Sequence, residues 1–242
     1  DRISDTLNFY VISLIPFTFF LYYKYPLTKV KINNRKKYIK NGLTMSFFSM
    51  TLILIPNLEI YMFGFLNKYF ENGVFSLFIK IAAVIPIFFV TINSLLAPSI
   101  GEYFKLKNTS FLQDSIIKNN KITFPASILV YIIIVILSEH ILSFFGIEFL
   151  KYKLVLICLS TIQLINVFFG PTILVASYCP SRSSIAKKII ISIFPLLAIS
   201  YFLIKTFGLY GGVASNLISV LVINALINVH IRKYYKLKLN SF

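Results

Sequence analysis

The sequence predicts an all-α integral membrane protein with about seven transmembrane helices, and three observations carry that prediction. The chain of 242 residues is 57% apolar and 17% aromatic but only 13% charged, with a mean hydropathy of +0.81. Such a chain has too little polar surface to coat a soluble domain of its length. Long apolar runs recur along it, each near the roughly 20 residues that a helix needs to cross a bilayer. The charge is segregated: 24 Lys and Arg against 8 Asp and Glu give a formal +16, and the basic residues crowd into alternate short loops between the apolar runs. That is the pattern of a topology signal, not of a nucleic-acid surface, so no nucleic-acid partner is expected.

The first apolar run, 7–23, contains Pro16 and ends at Tyr22, Tyr23 and Tyr25, aromatic residues suited to a membrane interface. The loop over 24–40 carries seven positive charges and no acid, which marks a cytoplasmic side. The second and third runs, 43–65 and 74–98, form a hairpin around the turn Lys68-Tyr69-Phe70-Glu71-Asn72-Gly73, and Pro56 and Pro86 are expected to kink its arms. A polar segment over 101–121 comes next, in which Ser110-Phe111-Leu112-Gln113 fits a capping box. A short helix is expected to begin there and to bend into the fourth run, 122–142, at Pro125. The sequon at Asn108 falls on the cytoplasmic side, and Glu139-His140 reads as a solvated helix end.

The fifth run, 154–177, holds Gln163, Asn166, Gly170 and Pro171, amides on a broken helix that serve either as interhelical hydrogen-bond partners or as cavity lining. Cys158 and Cys179 at its two ends lie about 31 Å apart on one continuous helix, too far to bridge. The sixth and seventh runs are 189–204 and 209–229, and Gly208, Gly212, Ser215 and Ser219 form a small-residue stripe that admits a neighbouring helix closely. Charges assign the sides. The loops over 24–40, 101–121 and 179–188 and the tail carry seven, four, three and four basic residues, whereas the intervening loops hold only Lys68, Lys151, Lys153 and Lys205. The C-terminal tail is therefore expected in the cytoplasm and residue 1 outside. Seven spans that start outside, and Asp at position 1, lead to the expectation of further helices upstream.

Within this scaffold the hairpin carries one charge in each arm, Glu59 and Lys80. Both lie about ten residues from the turn, so antiparallel helices rising about 1.5 Å per residue bring them to one depth. A lone charge in hydrocarbon costs about 2.5–3.5 kcal/mol on the insertion scale, so two at matched depth are expected to pair or to share a polar site.

Several short motifs occur in order along the runs: Asn57-Leu58-Glu59 with Gly64; Gly73-Val74-Phe75-Ser76 with Lys80; Asn93-Ser94-Leu95-Leu96-Ala97-Pro98 before Glu102-Tyr103; Gln163-Leu164-Ile165-Asn166 with Phe169-Gly170-Pro171; and Gly208 to Ala214. In these the sequence resembles the polysaccharide flippases, the Wzx-type O-antigen translocases of the MATE-like superfamily, over nearly its whole length. The resemblance implies a fold of at least twelve helices in two lobes around a central cavity. Residues 1–40 would then be the last helix of the first lobe with its basic linker, and 41–242 the six-helix second lobe. It also implies a bacterial inner-membrane location and alternating-access transfer of an undecaprenyl-pyrophosphate-linked oligosaccharide, with membrane lipids and other polysaccharide-assembly proteins as neighbours. The chain departs from the family pattern in having Glu at position 59 for the usual Asp and Lys at position 80 for the usual Arg, and Lys lacks the planar fork that pairs bidentately with pyrophosphate.

Shielding a hydroxyl-rich head group and phosphates from hydrocarbon calls for cationic and amide groups facing a wet cavity. Lys80 is the only basic residue deep in a span, and Glu59, Asn57, Asn93, Gln163 and Asn166 are the other cavity candidates, with Asn216 and Asn224 as further amides. A MATE-like exporter of cations or drugs is the alternative, although such a protein ordinarily has more acid in its spans. An integral-membrane polymerase or acyltransferase is less favoured, because no span holds a His-acid arrangement and no outward loop is long enough to build a site. No cofactor and no metal are expected.

Overall fold

The computed structural model describes residues 35–106 and 109–239, with some side chains in 35–53 and 105–110 excepted. Every regular element among them is helical. The chain divides after Gly42 into two units, and the second, Leu43–Phe242, holds both hydrophobic clusters and both cavities. The run at 7–23 lies outside the described residues. Basic residues Arg35 to Lys40, expected in a loop, already belong to helix α1, Arg35–Leu54.

Proline and glycine set the punctuation. Pro56 cannot donate a backbone hydrogen bond, and α1 tightens there into a single 3-10 turn, Ile55–Asn57, before α2, Leu58–Phe65, resumes. The chain then reverses over Leu66 to Lys68, with Asn67 left-handed at φ 56°. The turn is thus shorter than the sequence suggested. Tyr69 to Gly73 open helix α3, Tyr69–Ala82. Turns over 83–86, ending at Pro86, separate α3 from α4, Ile87–Leu106, so the expected third run is two helices.

Helix α5, Thr109–Phe145, is continuous through Pro125. It ends at Gly146, φ 141°, and a 3-10 segment, Ile147–Tyr152, leads into α6, Lys153–Phe168. Gly170 at φ 75° and Pro171 then break the chain before α7, Thr172–Tyr178. Cys158 and Cys179 therefore belong to different segments, not to one continuous helix, and both are free thiols. Helix α8, Arg182–Tyr235, would be about 81 Å long if straight. It folds at Gly208, φ 55° and ψ −128°, into arms 182–207 and 209–235. The arms are antiparallel: the Ser200 and Ser215 hydroxyls meet, and Lys188 reaches His230. Both arms are longer than the runs read from hydropathy.

Five segments among the described residues are long and apolar enough to cross a membrane, namely Phe48–Phe65, Ile87–Phe104, Phe111–Phe145, Ile147–Phe168 and Arg182–Tyr235. Their apolar faces build two clusters. One gathers Ile100, Leu112, Ile116, Val175, Ile185 and Ile227 at the end of the unit where 109–121, 181–188 and 230–239 lie together and basic side chains abound. The other gathers Phe63, Phe75, Phe78, Leu156, Leu159 and Ile204 toward the hairpin turns. From α3 to α4, and again from α6 to α7, the chain passes from the second cluster to the first, and the breaks at Pro86 and Pro171 fall between them.

The small-residue stripe does admit a close neighbour. A Cβ on Gly212 would meet Phe63 at 2.8 Å and Phe75 at 3.0 Å, and one on Gly211 would meet the Leu203 carbonyl oxygen of the other arm at 1.9 Å. Lys68 adds a cross-tie at the turns, its Nζ donating to the Ile204 carbonyl at 2.8 Å.

Candidate functional site

Where the two broken helices face each other they leave a half-open cavity of about 400 Å³, lined on one side by Pro86, Asn93 and Ser94 and on the other by Asn166, Pro171 and Ser177. Proline and glycine end the ordinary helical ladder here, so backbone and amide groups stand where apolar side chains would otherwise fill the space. Asn93 and Asn166, two of the sequence-predicted residues, share this cavity. Asn119 of α5 donates through Nδ2 to Asn93 Oδ1 at 2.8 Å. Asn224, on the second arm of α8, donates to Asn166 Oδ1 at 2.9 Å and accepts from Thr172 Oγ1 at 2.6 Å. The same Asn224 amide also donates to the Val220 carbonyl at 2.9 Å.

Each cavity amide is thus oriented by a partner on a third helix, the condition under which a polar group keeps a fixed direction in an apolar body. None of the described lining residues is charged. Amides and hydroxyls over an apolar floor suit a neutral, hydroxyl-bearing ligand, and the volume lies in the range of small-molecule sites. Gln163 is half-buried on α6 and Asn57 half-buried at the end of the 3-10 turn, and neither lines the cavity. Sequence reasoning passed over Asn119, which a polar pair at Asn119-Asn120 just ahead of an apolar run could have flagged, and Thr172, which had no local signal.

Glu59 and Lys80 do not pair. The Glu59 carboxylate is fully buried and accepts from Ser215 at 2.9 Å, Asn216 at 3.2 Å and Ser219 at 3.3 Å, all on the second arm of α8. Lys80 is exposed, and the ion pair among the described residues is Lys153 with Glu139 at 2.7 Å. Matched depth fixes only one coordinate of a helical side chain; the azimuth advances by about 100° per residue at 3.6 residues per turn. Val74, Phe75, Phe78 and Ala82 form the buried face of α3, and Lys80, two residues beyond Phe78, points about 200° away from it. The face of α2 that carries Leu58, Glu59 and Phe63 is buried against the glycine and serine stripe of α8. There the acid finds three neutral donors and, among the described residues, no cation.

A second polar cluster lies at the basic end. Ser181 Oγ is 2.8 Å from His230 Nε2 and accepts from the Tyr235 hydroxyl at 2.9 Å, and Lys188 Nζ lies 3.2 Å from His230 Nδ1. A lysine ammonium can only donate, so Nδ1 is the acceptor and Nε2 carries the proton toward Ser181. The histidine therefore has no lone pair to offer the serine hydroxyl. The arrangement is a latch between the 178–181 turn and the last arm, not a base with its nucleophile.

The Lys153–Glu139 pair borders another cavity, of about 320 Å³, that also includes His140 and Ser143. Its charged partners are 39% and 66% exposed, which makes it a solvated helix end as the sequence implied. No group of three His, Cys, Asp or Glu side chains comes together among the described residues. No family model matches the chain, and no curated protein and no solved structure is detectably similar to it.

Proposed function

We propose that this chain is the C-terminal portion of a bacterial inner-membrane flippase that moves an undecaprenyl-pyrophosphate-linked oligosaccharide across the bilayer by alternating access. In this reading seven spans leave the tail cytoplasmic, and 41–242 form a six-helix second lobe. The observation that carries the reading is the amide-lined cavity between two proline-broken helices inside a body of long apolar helices. Broken helices at membrane depth are tolerated where they line a cavity, and transporters place their substrate sites at such breaks. Asn93, Ser94, Asn166 and Ser177 offer donors and acceptors to sugar hydroxyls and no charge that would select an ion. The pyrophosphate is then met outside this cavity.

Glu59 supports a second reading, a cation or drug exporter of the same superfamily. A fully buried acid facing only neutral donors is the kind of intramembrane group that marks an ion pathway. Deleting the gene separates the two. A flippase deletion leaves sugar repeat units on their lipid carrier at the inner leaflet and depletes surface polysaccharide. Unchanged polysaccharide with raised drug sensitivity would replace the first reading with the second.

A further inference from the structure

Donors and acceptors are unevenly divided around the half-open cavity. The described lining residues with polar side chains are Asn93, Ser94, Asn166, Thr172 and Ser177. Asn93 Oδ1 is taken by Asn119 and Asn166 Oδ1 by Asn224. The second assignment is fixed from outside, because the Asn224 nitrogen also meets the Val220 carbonyl, a group that only accepts. Each cavity asparagine therefore turns its oxygen to a protein partner. Among the described residues nothing accepts from the NH2 group of either, and neither nitrogen is sealed from solvent.

The hydroxyls are in the opposite state. Ser94 donates its proton to the Thr91 carbonyl at 2.6 Å, Ser177 to the Ile173 carbonyl at 2.8 Å, and Thr172 to Asn224. The backbone adds no donor at the second break, since Pro171 has none and the N–H groups of Gly170 and Thr172 bond the carbonyls of Val167 and Gly170. Side-chain donors are thus left at Asn93 and Asn166, on facing walls, and lone pairs at the hydroxyls, of which Ser94 is exposed and Ser177 half-exposed. Phe89 and Leu174 contribute apolar wall.

A sugar hydroxyl carries donor and acceptor on one oxygen and does not distinguish between such ends. A secondary amide on the sugar does. Its carbonyl oxygen has two lone pairs, one for each NH2 group, its N–H answers a serine lone pair, and its methyl takes the apolar wall. A carboxylate or phosphate would also accept from the NH2 groups, but it would leave water for a cavity with no cation among the described lining residues and with serine lone pairs at the opening, a desolvation cost that neutral donors do not repay. We infer that the cavity is a binding site for the acetamido group of an N-acetylated sugar. The inference rests on the glycan reading and narrows it from sugar hydroxyls at large to one substituent.

The chain contains no tryptophan, so Phe89→Trp in the whole chain places a single fluorescent reporter at the cavity. In a detergent without a sugar head group it is titrated with four methyl glycosides: the N-acetylglucosaminide, the glucoside, the glucosaminide and the glucuronide. The N-acetyl compound is expected to bind about tenfold more tightly than the glucoside and the glucuronide. Asn93→Asp and Asn166→Asp each keep the oxygen that Asn119 or Asn224 bonds and replace the NH2 group by a second acceptor. Each should weaken the N-acetyl compound about tenfold and strengthen the glucosaminide, which presents an ammonium. In the unaltered chain, saturation-transfer NMR should place the strongest transfer on the acetyl methyl protons, which reads the site without the reporter. Equal binding of the glucoside, tighter binding of the glucuronide, unchanged affinity in both Asp variants, or no saturable signal from any of the four compounds by either measurement would overturn the inference. None of these outcomes touches the glycan reading, which is decided by the lipid carrier in deleted cells. An acetamido site in a chain whose deletion leaves surface polysaccharide unchanged would be the reverse case, with the binding chemistry upheld and the glycan reading lost.

Discussion

Three glycines in one molecule make a graded test of how tightly the last hairpin is packed. Gly73 lies on α3 with nothing within 4 Å of an added methyl, Gly212 would press one onto the Phe63 and Phe75 rings, and Gly211 would drive one into the Leu203 carbonyl. At Gly73 alanine simply restricts the unfolded chain and favours the helix, a gain of about 1 kcal/mol. At Gly212 contacts of 2.8 and 3.0 Å must relax toward the carbon–carbon optimum. That optimum lies at about 3.5–4.0 Å, so each ring has to move by about 0.7 Å. Both rings are fully buried and tilted against each other at 5.2 Å between centroids, so the movement spreads into the cluster around them. Overpacking of this kind costs about 1–3 kcal/mol, which outweighs the helical gain and leaves a net loss near 1 kcal/mol.

At Gly211 the obstructing atom is backbone, 1.9 Å away, and no rotamer relieves it. The arms must separate by more than about 1 Å to reach an ordinary carbon–oxygen contact, which pulls Ser215 from Ser200 and shifts the donors of Glu59, and the loss should be about 3 kcal/mol or more. With about 2–4 °C per kcal/mol for a chain of this size, thermal melting followed by size exclusion in detergent should rank Gly73→Ala above the native protein, Gly212→Ala a few degrees below it, and Gly211→Ala about 8 °C below or too unstable to purify. A Gly211→Ala protein that melts with the native one would refute the close antiparallel packing of the two arms.

Asn224→Ala strands the Thr172 hydroxyl and the Asn166 carbonyl oxygen in the interior, and should lower stability by about 1–3 kcal/mol in the same melting assay, while Asn228→Ala, which loses one bond to the Asn224 carbonyl, should lose less. Glu59→Gln keeps an acceptor for Ser215 and Ser219 and should cost under about 1 kcal/mol, whereas Glu59→Lys places an ammonium against three donors, at about 3 kcal/mol, and should deplete the protein from membranes in a quantitative blot. Burial pushes the Cys179 thiol up from its ordinary range, so in a Cys158→Ala background maleimide labelling at pH 7 should be slow, should quicken as pH rises, and should reach the free-thiol rate only on unfolding; native labelling at that rate would contradict the buried turn. Periplasm-specific reporters fused after Lys118, Arg182 or Lys238 should be silent and one fused after Lys151 active, and activity at Lys118 would reverse the proposed sidedness.

The breaks at Pro56, Pro86 and Gly170-Pro171 were legible because proline acts locally: it removes one donor at a known place whatever surrounds it. The small residues from Gly208 to Ser219 were legible for a similar reason, since a stripe without side chains has one use in a helix. What the stripe receives was not legible. Glu59 could be placed in depth by counting residues, but its partner depended on which way two helices rotate, and that is decided by the fit of Phe63 and Phe75 over Gly212. Gln113 shows the limit from the other side. Its spacing from Ser110 fits a local cap, yet it serves a segment 125 residues away, because the backbone N–H and carbonyl of Lys238 lie beside it and α5 already starts at Thr109. Of the cavity, Asn93 and Asn166 were found by type and position, while the side chains that aim them came from helices that sequence alone could not bring alongside.

The continuity of α5 has a mechanical consequence. At about 1.5 Å per residue its 37 residues reach about 55 Å, nearly twice the roughly 30 Å of hydrocarbon they have to traverse. The surplus lies mostly in the polar stretch 109–121, which packs through Leu112 and Ile116 into the cluster at the basic end, with Pro125 near its foot. Gln113 is twelve residues beyond that proline, about 18 Å along the axis, so a tilt of about 10° at the foot sweeps its side chain through about 3 Å. A hydrogen bond of 2.8 Å does not survive a displacement equal to its own length. The same tilt moves Asn119, about 9 Å from the proline, by about 1.6 Å, so the Asn119–Asn93 bond at the cavity and the Gln113 bond at the far end would loosen together.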